Sequence, residues 1–369
     1  MSPKPNILID ARLYGSKHTG IGRYTKNLLL AMSKLPDFTK YNFSVLVTDY
    51  HPELIDYKQI DIEIPHYSRQ EQTHLPQIIR KLKPDLVHFT HFNKPINYCG
   101  KSVVTIHDLI KHFFKGKDTT TKNALLYWPK YWLYLLVTYI NIKNNYLITP
   151  SNFWRNYIIK HFHKNPKNII TTYEAIDPVF IKNLDINNYE LNKNYKLKIE
   201  NYIVYTGNLY PHKNVDVIIK ALEYLPKIKL KIICNQSYFL DKYKKKYENN
   251  PQIEFLINIA DNEFKDIYPQ AICLVHPSLM EGFSLTGLEA MALNCPVVSS
   301  NSSCLPEIYG NSVLYFNPYD PKDLANKIQS LDKNKRQELI KKGQKQIKKY
   351  SWTKTAQQTL DYYEKILKS

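Results

Sequence analysis

The chain has 369 residues, room for two domains at roughly 100–200 residues each, and carries 51 Lys+Arg against 33 Asp+Glu, a formal charge of +18. With 43% hydrophobic and 23% charged residues it reads as a basic globular protein, which excludes collagen-like, coiled-coil, disulfide-scaffold and disordered classes. Arginine is scarce among the cations, limited to Arg12, Arg23, Arg69, Arg80, Arg155 and Arg336, while Tyr, Asn and Ile are abundant, so part of the +18 reflects AT-biased coding rather than a binding surface.

Short runs rich in β-branched and aromatic residues alternate with longer stretches of helical period, the pattern of parallel α/β units. The first half predicts strands at 6–10, 42–48, 85–90, 102–107 and 145–150, separated by helices at 20–35, 71–82, 122–142 and 152–162. In helix 20–35, Ile21, Tyr24, Leu28, Ala31 and Leu35 recur at the spacing of one buried face. The stretch WPKYWLYLLVTYINI (128–142) has aromatics around much of its helix and reads as a core helix rather than a membrane contact. Residues 178–200 turn polar and Asn/Lys-rich, an interdomain linker. A second series follows, with strands at 202–207, 229–234, 253–256, 271–277, 295–300 and 314–316 and helices at 213–225, 261–268 and 284–293. Helices at 321–331, 333–349 and 351–367 close the chain. The expected domains are 1–177 and 201–350, with 351–369 returning to the first. Both are doubly wound, which puts ligands at the carboxyl ends of the strands in a cleft between them.

No cysteine falls in a CxxC pair and no metal-binding DxD is convincing, since Asp61 and Glu63 flank Ile62 on sequence that reads as an ordinary strand. MSPKP leads into NILID without a signal-peptide h-region, and no apolar run approaches a membrane span, so the expected setting is reducing cytoplasm.

Four stretches carry chemistry. After the first strand, Gly15, Gly20 and Gly22 bring the backbone into a helix whose leading amides can meet an anion, with Arg12 and Arg23 as flanking cations. The spacing is not GxGxxG, so a plain glycine turn competes with phosphate contact. SVVTIHDL sets His107 and Asp108 at a strand's carboxyl end, where a neutral imidazole would bond a substrate hydroxyl and Asp108 would orient the ring or cap the loop. YIVYTGNLYPHKN places Gly207 for close approach, then His212 and Lys213 at a helix start, where a lysine opposes the dipole unless an anion compensates it. In AICLVHPSLMEGFSLTGLEAMALNCPVV, Glu281 precedes a helix start and Glu289 follows within an apolar run, where a buried carboxylate needs a partner.

These residues resemble the retaining GT-B glycosyltransferases of family four. EGFSLTGLEAMALNCPVV is similar to that family's paired-glutamate signature, TGNLYPHKN to its phosphate loop, and GIGRY and VVTIHD to its N-terminal cleft loops, in the expected order over most of the chain. The resemblance implies two Rossmann-like domains with parallel sheets facing a central cleft, the donor held by the second and the acceptor by the first. It implies that Lys213, beside His212, binds the donor diphosphate, and that Glu281 with Gly282, Phe283, Ser284 and Leu285, Thr286 following, holds the sugar. Glu289 would hold the ribose, His107 would lie near the reacting centre, and Gly20, Gly22 and Gly207 would approach the donor. The implied partners are a nucleotide sugar, GDP-mannose favoured over UDP-sugars, and a glycan or lipid-linked acceptor, with no nucleic acid and no metal or other cofactor, while the bulk positive charge suits anionic substrates or peripheral contact with an anionic membrane. Three departures stand out. His212 replaces a common arginine, making donor binding pH-dependent, Ser284 replaces a frequent glycine, narrowing the pocket, and Asn294 replaces another.

Rival readings are a glycosidase using Glu281 and Glu289, a nucleic-acid-binding protein using KYKKKY (242–247) and the lysines of 333–349, and a GT-B epimerase or phosphorylase. Helical spacing separates the two glutamates too far for the first, and solvated helix faces account for the second. The charge is also uneven. Residues 251–300 hold Lys265 against Glu254, Asp261, Glu263, Asp266, Glu281 and Glu289, a local −5.

Overall fold

The computed structural model describes residues 3–15, 19–116, 119, 124–178, 180, 199–260 and 262–369. The expected linker 178–200 and the start of the glycine-loop helix fall largely or partly outside these residues. Two compact units form, one from Met1–Leu109, Asn123–Glu174 and Ser351–Ser369, the other from Ile110–Lys122 and Ala175–Tyr350. The division departs from the expected break at 177 in that Ile110–Lys122 belongs with the second unit.

The first unit is a seven-stranded parallel sheet of β1 (Asn6–Asp10), β2 (Asn42–Val47), β3 (Lys58–Asp61), β4 (Leu86–Phe89), β5 (Ser102–Thr105), β6 (Tyr146–Thr149) and β7 (Ile169–Thr171). Its order is β3-β2-β1-β4-β5-β6-β7, with Ile9 facing Val45 on one side and His88 on the other. The second unit orders β8 (Tyr202–Thr206), β9 (Lys229–Cys234), β10 (Ile253–Ile257), β11 (Leu274–His276), β12 (Val297–Ser300) and β13 (Leu314–Phe316) as β10-β9-β8-β11-β12-β13, again parallel. In both, the inner strands are covered on both faces, which is why they read as continuous apolar runs. Each order reverses beside its first strand, between β1 and β4 and between β8 and β11, and such a switch point opens a crevice at the carboxyl ends.

Local chemistry shifts several boundaries. The expected helix 71–82 is two, because Ser68 caps Arg69–Thr73 and Pro76, lacking an N–H, suits only the first turn of a new helix, Leu75–Leu82. The expected helix at 213 starts at Val215, after Asn214 takes a left-handed φ of 54°. β7 and the helices Tyr238–Tyr247 and Leu305–Tyr309 were not expected.

The helix Ala124–Asn144 is a core helix on one face only. Tyr131, Val137, Thr138, Asn141 and Ile142 are buried, whereas Trp132 and Leu136 on the other side are 65% and 51% exposed. The closing helix Trp352–Leu367 belongs to the first unit. Its Tyr363 hydroxyl meets Nδ1 of the fully buried His88 at 2.5 Å, and its Thr355 hydroxyl donates to the Tyr173 carbonyl. Burial pushes His88 down to about 3, so that histidine is a neutral structural link.

Arg12 takes a task other than the expected one. Its guanidinium, 1% exposed, donates to Asp10 (Nε to Oδ1, 2.8 Å; Nη2 to Oδ2, 2.6 Å), to Glu71 Oε1 (2.8 Å) and to the Ile64 carbonyl (3.0 Å). These bonds spend four of the guanidinium's five N–H donors and neutralise two interior carboxylates, and at 1% exposure the group is closed to a donor phosphate.

Candidate active site

At the switch point of the second unit, two loops leave adjacent strands. After β8, Gly207 has φ +139°, and a Cβ there would stand 3.3 Å from the Tyr205 hydroxyl. Pro211 opens a tight turn to Lys213, and Asn214 closes it by donating to the Pro277 and Pro318 carbonyls at 3.3 and 2.8 Å. After β11 the second loop runs to Glu281, tied to the first by Leu279 N–H donating to the His212 carbonyl (2.8 Å).

This lacing brings Lys213 onto Glu281, with Nζ 2.7 Å from Oε1 and 2.9 Å from Oε2. His276 Nε2 lies 3.1 Å from Oε1, and the Glu281 amide donates to Ser303 Oγ at 3.1 Å. Burial would raise the Glu281 carboxyl, but the Lys213 charge and the His276 bond outweigh it and hold the group well below the usual carboxylate range. Lys213 spends two N–H directions on the carboxylate, and an ammonium has three.

Behind the pair, a buried polar chain continues. His276 Nδ1 meets the Tyr309 hydroxyl at 3.0 Å, which in turn meets Ser284 Oγ at 2.7 Å and receives the Gly287 amide at 3.2 Å. Ser284 sits at φ +82°, the region that glycine enters freely and other residues enter at about 1–2 kcal/mol. Its hydroxyl turns back onto Tyr309 and His276 and bonds there. Asn294 also has a positive φ, 57°, and accepts from Gln344 at 2.8 Å. Both departures from glycine thus occupy positions where glycine is the unstrained choice. Ser284 does not cap the following helix, Leu285–Ala292, whose leading turn holds Leu285 and Thr286 and whose half-buried Glu289 lies one turn further on. Gly282 and Phe283 bridge Glu281 to that helix.

His212 is neutral near pH 7. Burial, with the Lys213 charge beside it, pushes its ring down to about 4, and among the described residues its Nδ1 is buried without a hydrogen-bond partner. The expected pH-dependence of donor binding through this ring therefore falls outside the physiological range, and the fixed charge here is that of Lys213.

In the first unit, Gly20 and Gly22 lie in the opening turn of the helix Thr19–Met32, with Arg23 half-buried behind them. His107, just beyond β5, has acceptors on both ring nitrogens, the Thr90 carbonyl 2.9 Å from Nε2 and Glu174 Oε1 3.4 Å from Nδ1. Burial would lower its pKa, but the bond and charge of Glu174 outweigh that and raise it. Glu174 thus favours the protonated ring, where a neutral imidazole, with Asp108 orienting it or capping the loop, was expected.

Residues 188–346 match the family of glycosyl transferases group 1. The chain is 28% identical over 297 residues to O-antigen chain mannosyltransferase B of Escherichia coli, covering 78% of this chain and 76% of that one. It is 25% identical over 345 residues to O-antigen chain mannosyltransferase RfbU of Salmonella typhimurium, covering 88% and 91%. In fold it matches the sucrose-phosphate synthase of Thermosynechococcus elongatus with a TM-score of 0.72 over 98% of this chain and 99% of that one, at 16% identity. The chain is a glycosyltransferase of GT-B fold, with the group 1 match lying over its second half.

Three residues bonded to the candidate side chains escape sequence reasoning. His276 ends a buried strand, Tyr309 sits on an unrecognised helix, and Glu174 follows the three-residue β7, whose carboxyl end was the available signal. Among the described residues, no group of three or more His, Cys, Asp and Glu side chains is placed to hold a metal ion. KYKKKY lies on the helix Tyr238–Tyr247, where Tyr243 and Tyr247 both donate to Asp216 at 2.6 Å, so these rings serve the fold rather than standing free to stack on bases.

Two consequences can be measured. A Cβ at Gly287 would stand 2.4 Å from the Tyr309 hydroxyl and ring, and Tyr309 is fully buried with no room to yield. Gly287→Ala should therefore cost about 1–3 kcal/mol in a urea titration and weaken donor binding by moving the Ser284 turn. Glu174→Gln should drop the His107 pKa, because burial, which disfavours the charged ring, is then opposed by less, and the fall is read from its ring protons by NMR. Because His107 is raised in the folded state, Glu174 stabilises the fold below the unfolded pKa, and that contribution fades as pH rises through the folded one.

Proposed function

We propose that this nucleotide-sugar-dependent transferase moves a hexose, mannose from GDP-mannose in first place and a sugar from a UDP donor otherwise, to a glycan or lipid-linked acceptor with retention of anomeric configuration. The observation that carries the reading is the Lys213–Glu281 pair at the β8/β11 switch point, and the mannosyltransferase names of both curated relatives support the donor.

When the donor binds, its diphosphate takes the free direction of Lys213 and draws the ammonium toward itself, which releases Glu281 oxygens to accept from sugar hydroxyls. The uncapped amides at Leu285 and Thr286 add donors aimed at developing negative charge. Glu289 accepts from the ribose hydroxyls, and neutral His212 offers a hydrogen bond rather than a charge. As the bond from the anomeric carbon to the phosphate oxygen breaks, the acceptor oxygen bonds that carbon on the same face and its proton passes to the departing phosphate. Lys213 stabilises the leaving diphosphate, so the scheme requires no metal.

Thermal shift with GDP-mannose, UDP-glucose and UDP-N-acetylglucosamine tests the reading, alongside slow donor hydrolysis. A donor at a hundred times its Kd should stabilise the fold by about 2.7 kcal/mol. Stabilisation by oligonucleotides and by no nucleotide or nucleotide sugar would overturn it.

A further inference from the structure

The helix Leu285–Ala292 opens without the cap that its sequence offers. Ser284 stands at the N-cap position, but at φ 82° and ψ 80° its hydroxyl makes no bond to the helix amides. A serine there ordinarily accepts from the second or third amide, so one of the leading N–H groups needs another partner. The Tyr309 hydroxyl takes that place. It comes from a different helix, Leu305–Tyr309, and receives the Gly287 amide at 3.2 Å. Room for it exists because residue 287 has no side chain, since a Cβ there would stand 2.4 Å from the hydroxyl, and glycine is otherwise a poor residue inside a helix.

The same oxygen holds two more groups, with Ser284 Oγ 2.7 Å and His276 Nδ1 3.0 Å away. These bonds run in one direction. A carboxylate only accepts, so across the 3.1 Å contact with Glu281 it is His276 Nε2 that donates. In the tautomer this fixes, Nδ1 accepts, and the Tyr309 hydroxyl donates to it. The two lone pairs of Tyr309 then take the Ser284 hydroxyl and the Gly287 amide, which uses every direction that a phenol has. Tyr309 and His276 are both buried, so a bond lost here finds little water in exchange. One atom therefore fixes both the partner of the Glu281 carboxylate and the turn that aims the Leu285 and Thr286 amides. We propose that Tyr309 is a positioning residue for transfer, holding Glu281 through His276 and the first turn of Leu285–Ala292 through Ser284 and Gly287. The proposal rests on the donor-site reading above and gives the Gly287 amide to the protein, leaving those of Leu285 and Thr286 to the donor.

Tyr309→Phe in the full-length protein deletes one oxygen and keeps the ring. It should lower kcat by about 10- to 100-fold, because the groups it releases act on the sugar and on developing charge. Affinity for the bare nucleoside diphosphate, GDP or UDP, should stay within about twofold, because Lys213 is untouched. Adding Ser284→Gly to that variant should raise kcat again by about fivefold, since glycine holds a positive φ without an anchor. The wild-type protein tests the wiring with no substitution at all. In ring-nitrogen NMR of isotope-labelled histidine, His276 should carry a proton on Nε2, and Tyr309→Phe should mix the two tautomers. The proposal is overturned if wild-type His276 is protonated on Nδ1 alone, or if Tyr309→Phe turns over within about twofold of wild type. It is equally overturned if nucleoside diphosphate affinity falls as far as kcat, the mark of a collapsed site, or if the added glycine recovers nothing. A wild-type protein that binds no nucleotide defeats the donor-site reading, whereas an active wild type with an equally active Tyr309→Phe defeats this proposal alone.

Discussion

Lys213→Ala should lower transfer by a factor of about 10³ and also cost the folded state about 3 kcal/mol, while Glu281→Ala should lower transfer equally at a smaller stability cost. The asymmetry comes from burial. Glu281 is 7% exposed, and without Lys213 its carboxylate loses the ammonium that meets both of its oxygens and has little access to water in exchange. The Lys213 side chain is 22% exposed, so without Glu281 its flexible stem can carry the ammonium to solvent. pH gives a second handle. Because Glu281 is held below its unfolded pKa, its contribution to stability is complete above roughly pH 4.3, the unperturbed glutamate value, and drains away as pH falls toward the folded one. Lys213→Ala should flatten that acid dependence. Replacing both partners by apolar residues, Lys213→Met with Glu281→Leu, should recover much of the stability and none of the transfer, which separates folding from chemistry. Urea titrations at several pH values and turnover at saturating donor read these outcomes. Near wild-type turnover in either single variant would remove the pair from the site.

The first residue of each motif was legible, and its partner was not. Lys213 is conspicuous in sequence because a lysine opposes a helix start, and Glu281 because a carboxylate precedes an apolar helix, but their union spans 68 positions and depends on β8 lying beside β11. The same holds in the first unit, where His107 follows a recognisable strand and Glu174 follows a strand of three residues, too short for its period to register. Strands covered on both faces announce themselves as apolar runs. By contrast β3, whose residues are only partly covered or exposed, has no such run. The helix Ala124–Asn144 shows the converse limit. Aromatics all round a helix say that it is apolar, and only the folded neighbours decide which side is covered.

Arg12 is where position in sequence pointed one way and packing another. It follows β1 beside the glycine turn, as a phosphate-binding arginine would, yet Asp10 two residues before it and Glu71 from the helix Arg69–Thr73 converge on its guanidinium. Burial would raise the Asp10 carboxyl, and the charge and bond of Arg12 outweigh that and lower it. Arg12→Met should therefore leave two interior carboxylates without a cation and cost about 3–5 kcal/mol. Arg12→Lys should restore little, since one ammonium cannot reproduce a planar fork that bonds Asp10 twice while reaching Glu71 and the Ile64 carbonyl. With two units in the chain, a single unfolding transition is not assured, so hydrogen exchange is the sharper measurement. Amides of β1 and β2 should lose protection while those of β8 and β9 keep theirs. Donor affinity separates the two roles. If Arg12→Met left exchange in the first unit unchanged and weakened nucleotide-sugar binding, the guanidinium would be serving the phosphate after all.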